Sequence, residues 1–250
     1  AFQDRRGSSS CVLQYSWAMF DPSKIRAITL DLDDTLWPIW PTIRRAEEIL
    51  LLWLKEHAAK TAQLFSTPEA LRAIRNQVEK ERPDLRHDLS GLRQASIRQA
   101  LRQAGDDENL AMPAFEIFFA ARQRVELFGD AVPALERLTA RWPVVAVTNG
   151  NSDIEQIGLG QFFQDSFNVT RTGFAKPDVR IFHCAAQALE LPLSAILHVG
   201  DDAKLDAVAA RDAGMHAVWL NRSGLDWPIE EQHPPTTVSS LLDLCDLLAA

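Results

Sequence analysis

The sequence predicts an α/β protein in which a doubly wound parallel sheet carries an inserted all-helical cap domain. After Phe128, short apolar runs alternate with segments of helical periodicity, which is typical of a parallel sheet covered by helices on both faces. Between residues 38 and 125 only helical patterns occur, although an apolar run at 27–31 precedes them. We therefore expect the helical block to interrupt the sheet after its first strand.

The helical block should contain four helices, each with an amphipathic apolar pattern. Prolines, an N-cap threonine at 67 and a glycine at 105 mark their ends. The predicted helices lie at about 43–54, 67–82, 89–104 and 109–125. These limits place the cap domain at residues 38–128.

The rest of the sheet should follow the cap domain. Predicted strands after the one at 27–31 lie at 144–147, 167–169, 196–199 and 217–220. Predicted helices between them lie at about 130–141, 152–158, 178–190 and 204–213. The core domain is therefore assigned to residues 19–37 and 129–250. We expect residues 1–18 to be a poorly ordered extension or an expression remnant, with Met19 a candidate natural start.

Composition restricts the partners that this protein is expected to have. The chain has 26 Lys and Arg against 34 Asp and Glu, a net charge of −8, which argues against nucleic acid as a main partner. No apolar stretch is long enough to cross a bilayer, so we expect no membrane partner. The three cysteines show no metal-binding spacing and suggest reduced thiols in a cytoplasmic protein. We expect a monomer or homodimer that binds a small phosphorylated metabolite.

A pair of carboxylates follows the first predicted strand. Asp31 and Asp33 are two residues apart, so in an extended strand they face the same side. Because adjacent ionised carboxylates repel each other, they favour a cation between them, most simply Mg²⁺. The alternative is a strand that ends in a turn, since Asp34 and Thr35 suit turns and helix N-termini.

Polar residues also follow the other predicted strands. Ligands bind at the carboxyl ends of strands in open parallel sheets, so we expect these residues to lie near Asp31 and Asp33. They are Thr148, Asn149, Gly150, Lys176, Asp201, Asp202 and Asp206.

Charge suggests a role for each candidate. Asp31 would attack phosphorus to form an aspartyl-phosphate, and Asp33 would serve as acid and then as base. Thr148, together with the amides around Asn149 and Gly150, would bind phosphate oxygens near a helix start, and Lys176 at the phosphate would offset the negative charge shared with the nucleophile. The predicted Mg²⁺ ligands are Asp31, Asp33 and Asp201.

Structural alternatives remain for most of these residues. Thr148 and Asn149 would also suit an ordinary turn or N-cap, and Lys176 a solvated surface position. Asp202 and Asp206 would also suit the start of a helix, where the dipole favours acids. We predict that these two aspartates support the metal ligands. His198 lies inside a predicted strand and is expected to be a core histidine rather than a ligand.

With these motifs the chain resembles the haloacid dehalogenase superfamily of aspartate-nucleophile hydrolases. Four motifs of that superfamily occur in order: Asp31-Leu-Asp33-Asp-Thr, Thr148, Lys176-Pro, and Gly200-Asp201-Asp202 with Asp206. The resemblance covers about residues 25–222 and implies a Rossmann-like core. The helical insertion after the first motif is similar to the family's C1-type cap.

The resemblance also bears on the chemistry. Family members that cleave carbon–halogen bonds need no metal and lack an aspartate two residues after the nucleophile. Asp33 and the acidic fourth motif therefore imply a Mg²⁺-dependent phosphatase. A phosphomutase or a 2-haloacid dehalogenase on the same fold are the alternatives, and complete motifs argue against a binding protein without catalytic activity.

Three stretches, 83–88, 141–151 and 197–202, are similar to the bacterial FMN phosphatase branch of the family. Members of that branch also dephosphorylate 5-amino-6-(5-phospho-D-ribitylamino)uracil, which implies a substrate from riboflavin metabolism. Sugar phosphates and nucleotides are the alternative substrates. We expect the cap to set specificity, although the tryptophans could equally pack against cap helices. Candidate substrate contacts are Trp37, Trp40, His87 and Arg93.

Overall fold

The computed structural model describes residues 21–249, so the predicted extension at 1–18 lies outside the described part of the chain. Six parallel strands form one sheet in the order β3-β2-β1-β4-β5-β6. The strands are β1 Ala27–Leu30, β2 Val144–Val147, β3 Asp165–Phe167, β4 Ile196–Gly200, β5 His216–Leu220 and β6 Thr236–Val238. Strands β2 and β3 lie on one side of β1, and β4, β5 and β6 lie on the other. The strand order therefore reverses between β1 and β4, and open α/β sheets form a ligand-binding crevice at such a point.

Five helices of the cap follow β1 and precede the first helix that covers the sheet. They are α1 Ile39–His57, α2 Ala59–Leu64, α3 Pro68–Glu81, α4 Leu89–Ala104 and α5 Ala111–Arg122. Local signals fix their ends: the Thr67 side chain accepts a hydrogen bond from the N–H of Ala70, and Gly105 ends α4 with a φ of 76°. The five helices share a hydrophobic core of their own.

Helices cover both faces of the sheet. They are α6 Ala131–Thr139, α7 Ile154–Ile157, α8 Val169–Thr172, α9 Arg180–Ala188, α10 Ala209–Ala213 and α11 Leu241–Ala249. A π-helical segment, Ala203–Val208, leads into α10. Ile28 and Leu30 pack with α6 and α11, whereas Ala27 packs with α9 and α10. Alternate residues of one strand thus serve two cores, which is why the central strands β1, β2 and β4 are fully buried and mostly apolar.

The predicted fold class is confirmed, with local differences. The third strand lies at Asp165–Phe167 rather than at 167–169, because the Asn168 side chain accepts a hydrogen bond from the N–H of Arg171 and starts α8. Strand β6 and helices α2, α8 and α11 were not predicted. Strand β6 has a weak signal because it is three residues long and only Val238 in it is buried. None of the helices in the described residues is long and apolar enough to span a membrane.

We expect Leu50→Ala to destabilise the cap by about 2–5 kcal/mol, because Leu50 is 1% exposed inside the cap core. Leu52, on the same helix, is 59% exposed, and Leu52→Ala should change the stability by less than about 0.5 kcal/mol. Urea unfolding of both variants measures the difference. Equal destabilisation by the two substitutions would contradict the packing described here.

Candidate active site

The predicted site residues converge at the carboxyl ends of β1 and β4. Asp31 directly follows β1, and its N–H donates to the carbonyl oxygen of Val199 in β4 at 2.9 Å. Asp201 follows the last residue of β4, Gly200, and Asp206 lies in the π-helical segment beyond it. One carboxylate oxygen from each of Asp31, Asp201 and Asp206 lies within 4.8 Å of the others. The sheet therefore gathers three acids that are far apart in sequence.

Lys176 is buried among these acids rather than solvated at the surface. Its Nζ lies 2.6 Å from Oδ1 of Asp31 and 2.5 Å from Oδ1 of Asp206, and its side chain is 3% exposed. The Asn149 side chain fixes the lysine backbone, accepting from the Lys176 N–H at 2.7 Å and donating to its carbonyl at 2.8 Å. The Asn149 side chain thus positions Lys176 directly, a contact that the sequence did not indicate.

Asp206 has three partners that hold it as an anion. Besides Lys176, it accepts a hydrogen bond from the backbone N–H of Asp202 at 3.0 Å and lies 3.0 Å from Nε2 of His198. Burial alone would raise the pKa of Asp206, but Lys176 and His198 hold it below its usual range. Burial lowers the pKa of His198, whose Nδ1 lies 2.7 Å from the Thr29 hydroxyl. His198 is therefore a core histidine that also orients Asp206.

The other two acids are kept in an unfavourable charge environment. Burial, opposed by Lys176, raises the pKa of Asp31 well above its usual value, and the carboxylates of Asp206 and Asp201 add to the shift. Burial and then the nearby carboxylates raise the pKa of Asp201 to about 7. The Lys176 ammonium contacts Asp31 and Asp206, so when all three carboxylates are ionised the cluster has a surplus of two negative charges. A divalent cation would neutralise this surplus.

The donor set fits Mg²⁺, which prefers oxygen ligands and carries the charge that the cluster lacks. Asp31 and Asp201 would hold the ion, since the Asp206 oxygens are already used by Lys176, His198 and a backbone N–H. Asp202 caps the π-helical segment by accepting from the N–H groups of residues 204 and 205, so its side chain supports the fold of the motif.

Asp33 departs from its predicted place among the metal ligands. Its carboxylate faces Arg122, whose Nη2 donates to Oδ1 at 2.8 Å and to Oδ2 at 2.7 Å. Oδ1 also accepts from the indole Nε1 of Trp37 at 2.9 Å and from the Ser152 hydroxyl at 3.4 Å. The physical reason is the turn at residues 34–36, across which Asp33 forms a β-bridge with Trp37, so that its carboxylate lies beside the Trp37 indole and within reach of Arg122.

Thr148 and Gly150 lie beside Asp33. The buried Thr148 hydroxyl accepts a hydrogen bond from the Gly150 N–H at 2.9 Å, which leaves its own proton for another acceptor. A Cβ on Gly150 would lie 2.3 Å from Oδ2 of Asp33 and 3.2 Å from Oγ1 of Thr148. A side chain at position 150 would therefore displace the Asp33 carboxylate from its present position.

The cap and the core enclose a cavity of about 340 Å³ that reaches Asp33. Trp40 and Arg93 line it as candidate substrate contacts. Trp37 is completely buried in the core of the sheet domain and has no exposed surface for a substrate ring. Its predicted role as a substrate contact is therefore wrong, and Trp37 is a packing residue. His87 is exposed and is not part of the cavity wall.

Two features of the cavity wall were not found from the sequence. Arg122 and Asn151 lie at its core side, and Glu47 is buried in its cap side between two arginines. Oε2 of Glu47 lies 2.6 Å from Nε of Arg72, and Oε1 lies 3.3 Å from Arg93. Asn151 ends the stretch 141–151 but was given no role there, and Arg122 and Glu47 lie outside the recognised motifs. The sequence did contain one signal for Glu47, because a charged residue on the apolar face of a predicted helix indicates a buried ion pair.

We expect Asp201→Asn to stabilise the metal-free protein at pH 8 by about 2 kcal/mol, and to have little effect at pH 4. An acid whose folded-state pKa is raised loses stability as the pH increases from its unfolded value through about 7, and asparagine removes that loss. Thermal unfolding in EDTA measures the shift. Addition of Mg²⁺ should raise the unfolding temperature of the wild type only. Lower stability of the variant at pH 8 in EDTA would contradict the charge surplus.

Comparison with known proteins agrees with this arrangement. A family model for haloacid dehalogenase-like hydrolases matches residues 25–214. The 5-amino-6-(5-phospho-D-ribitylamino)uracil phosphatase YigB of Escherichia coli (strain K12) is 34% identical over 79% of this chain and 84% of its own length. The phosphoserine phosphatase of Thermus thermophilus is 32% identical over 61% of this chain and 63% of its own.

A solved structure described as a 2-haloacid dehalogenase from Pseudomonas syringae pv. Tomato DC3000 superimposes with a TM-score of 0.83. It is 35% identical and covers 90% of this chain and 98% of its own. The family resemblance read from the four motifs is thereby confirmed, and so is the likeness to the riboflavin-pathway branch. The chain belongs to the haloacid dehalogenase-like hydrolase family.

Proposed function

We propose that this hydrolase is a Mg²⁺-dependent phosphomonoesterase that acts through an aspartyl-phosphate. The observation that carries the proposal is a second carboxylate, Asp33, beside a buried nucleophile that Lys176 holds at 2.6 Å. A carboxylate nucleophile alone would suit other chemistry, whereas an adjacent acid supplies the proton that an alkoxide leaving group requires.

The proposed reaction has two steps. An oxygen of Asp31 attacks phosphorus, the ester P–O bond breaks, and the proton of the Asp33 carboxyl group goes to the leaving oxygen. A water molecule then attacks the aspartyl-phosphate, Asp33 takes the proton of that water, and Asp31 is released with inorganic phosphate. Lys176 offsets the charge of Asp31 throughout, and the free proton of the Thr148 hydroxyl is available to a phosphate oxygen.

Mg²⁺ at Asp31 and Asp201 would screen the repulsion between the nucleophile and the phosphate and would polarise the phosphoryl group. The cluster supports this role because carboxylate oxygens of Asp31, Asp201 and Asp206 lie within 4.8 Å of one another, while the Lys176 ammonium contacts only Asp31 and Asp206 among them. The cap over the site would exclude bulk water from the aspartyl-phosphate.

For the substrate we propose a small phosphorylated metabolite of riboflavin metabolism, FMN or 5-amino-6-(5-phospho-D-ribitylamino)uracil. The relative that carries this activity in its name is aligned over most of both chains. The cavity is large enough for such a leaving group, and Trp40 in its wall is 63% exposed, which leaves an indole surface for a planar ring.

A 2-haloacid dehalogenase is the second candidate. It is favoured by the 35% identity to a solved structure described by that name. It accounts less well for Asp33 and for the surplus of carboxylates, which a reaction without a metal would not need.

Asp31→Asn should reduce phosphatase activity at least about 10⁴-fold, because an amide oxygen is a poor nucleophile. Release of inorganic phosphate from p-nitrophenyl phosphate with Mg²⁺ measures this loss, and circular dichroism checks the fold. Asp246→Asn, an exposed aspartate on α11, is the matched control and should retain wild-type activity. Wild-type turnover by the Asp31 variant would overturn the mechanism.

A panel of FMN, the riboflavin precursor, sugar phosphates, nucleotides and 2-chloropropionate separates the candidate substrates. We expect Mg²⁺-dependent phosphate release, abolished by EDTA, with the highest kcat/KM for one of the two flavin-pathway esters. Similar kcat/KM values for all phosphate esters would remove the riboflavin assignment alone. Chloride release in EDTA without any phosphatase activity would favour the dehalogenase.

A further inference from the structure

Arg122 connects the cap to the first motif. It is the last residue of α5, and its buried guanidinium lies at the core side of the cavity. Nη2 contacts both oxygens of Asp33, and Nε donates to Oδ1 of Asn151 at 3.0 Å. Asn151 in turn donates to the Ser90 hydroxyl of α4 at 3.1 Å. A residue of a cap helix therefore contributes two of the hydrogen bonds that hold the Asp33 carboxylate.

The hydrogen bonds distinguish the two oxygens of Asp33. Oδ1 accepts from Arg122, Trp37 and Ser152, which occupies its lone pairs. Oδ2 has Arg122 alone as a side-chain partner, and it faces the Gly150 backbone beside Thr148. Oδ2 is thus the oxygen with a lone pair left to carry a proton to or from the reacting group.

A buried arginine at position 122 lowers the stability of the fold if it serves only to join the cap to the core. Nη1 of Arg122 is one of three buried side-chain nitrogen or oxygen atoms in residues 21–249 that have no hydrogen-bond partner. A buried donor without a partner destabilises the fold, whereas an apolar side chain of similar volume would join cap and core without that cost. The arrangement is explained if the guanidinium is retained for its effect on Asp33.

We propose that Arg122 is a positioning residue for proton transfer, which holds Asp33 so that Oδ2 faces the leaving group when the cap covers the site. This inference rests on the proposed phosphatase function. It adds a residue from the cap to the acid–base step, so that proton transfer depends on the position of α5. Displacement of α5 would withdraw the contact that orients Asp33.

The test uses two esters that differ in their need for a proton. The alkoxide of glycerol 1-phosphate requires protonation as it leaves, whereas p-nitrophenolate does not. Arg122→Met should lower kcat/KM about 10²-fold for glycerol 1-phosphate and less than about tenfold for p-nitrophenyl phosphate. The comparison uses kcat/KM because that ratio excludes hydrolysis of the phosphoenzyme, in which Asp33 acts as a base for either ester.

Asp33→Asn should show the same dependence on the leaving group. Because the two residues act in one step, the double variant should lose little more than Asp33→Asn alone. Arg122→Lys keeps one cation near Asp33 and should be intermediate, which keeps the test available if Arg122→Met does not fold. Arg137→Met, which removes an exposed arginine of α6, is the matched control and should react with both esters like the wild type.

Equal losses for the two esters, or full additivity in the double variant, would overturn the inference and leave Arg122 as a domain connection. These outcomes differ from failure of the proposed function. In that case the wild type itself would release no phosphate from either ester with Mg²⁺ present.

Discussion

The contact of Lys176 with Asp31 and Asp206 is the interaction on which the site depends. A buried ammonium needs counter-charges, and buried carboxylates need a cation, so each group makes the burial of the others possible. Asp206 is further tied to His198, which reaches Thr29 in β1. The charged centre is thereby connected to strands β1 and β4, and Lys176 holds the Asp31 carboxylate next to them.

The same centre contains more carboxylates than positive charges. One cation among three carboxylates leaves Asp31 and Asp201 with raised pKa values, and burial is the largest cause in both cases. Functional sites often keep such unfavourable charge because a ligand then gains binding energy by relieving it. Here the deficit has the sign and size that a divalent cation would correct.

Phosphatase and dehalogenase relatives share this fold, so the fold does not distinguish their chemistry. The distinction depends on what surrounds the nucleophile. In this chain the second carboxylate is held by Arg122 from the cap and by Trp37 from the loop after β1. The proposed proton transfer is therefore linked to cap position through one guanidinium, while carboxylate oxygens of Asp201 and Asp206 lie within 4.8 Å of one of Asp31 in the core.

The sequence by itself determined the fold class, most strands of the sheet, the position of the inserted helices and the motif that contains Asp31. Apolar runs, proline breaks and the helix-ending Gly105 act over a few residues, so local pattern was enough, and α4 begins and ends as predicted. Short elements with little burial, such as β6, gave too weak a signal. The side-chain partners were decided by the tertiary structure: Asp33 lies 89 positions from Arg122 and Lys176 lies 145 positions from Asp31. Such contacts have no sequence spacing, because they form only when separate strands and the cap meet at one edge of the sheet.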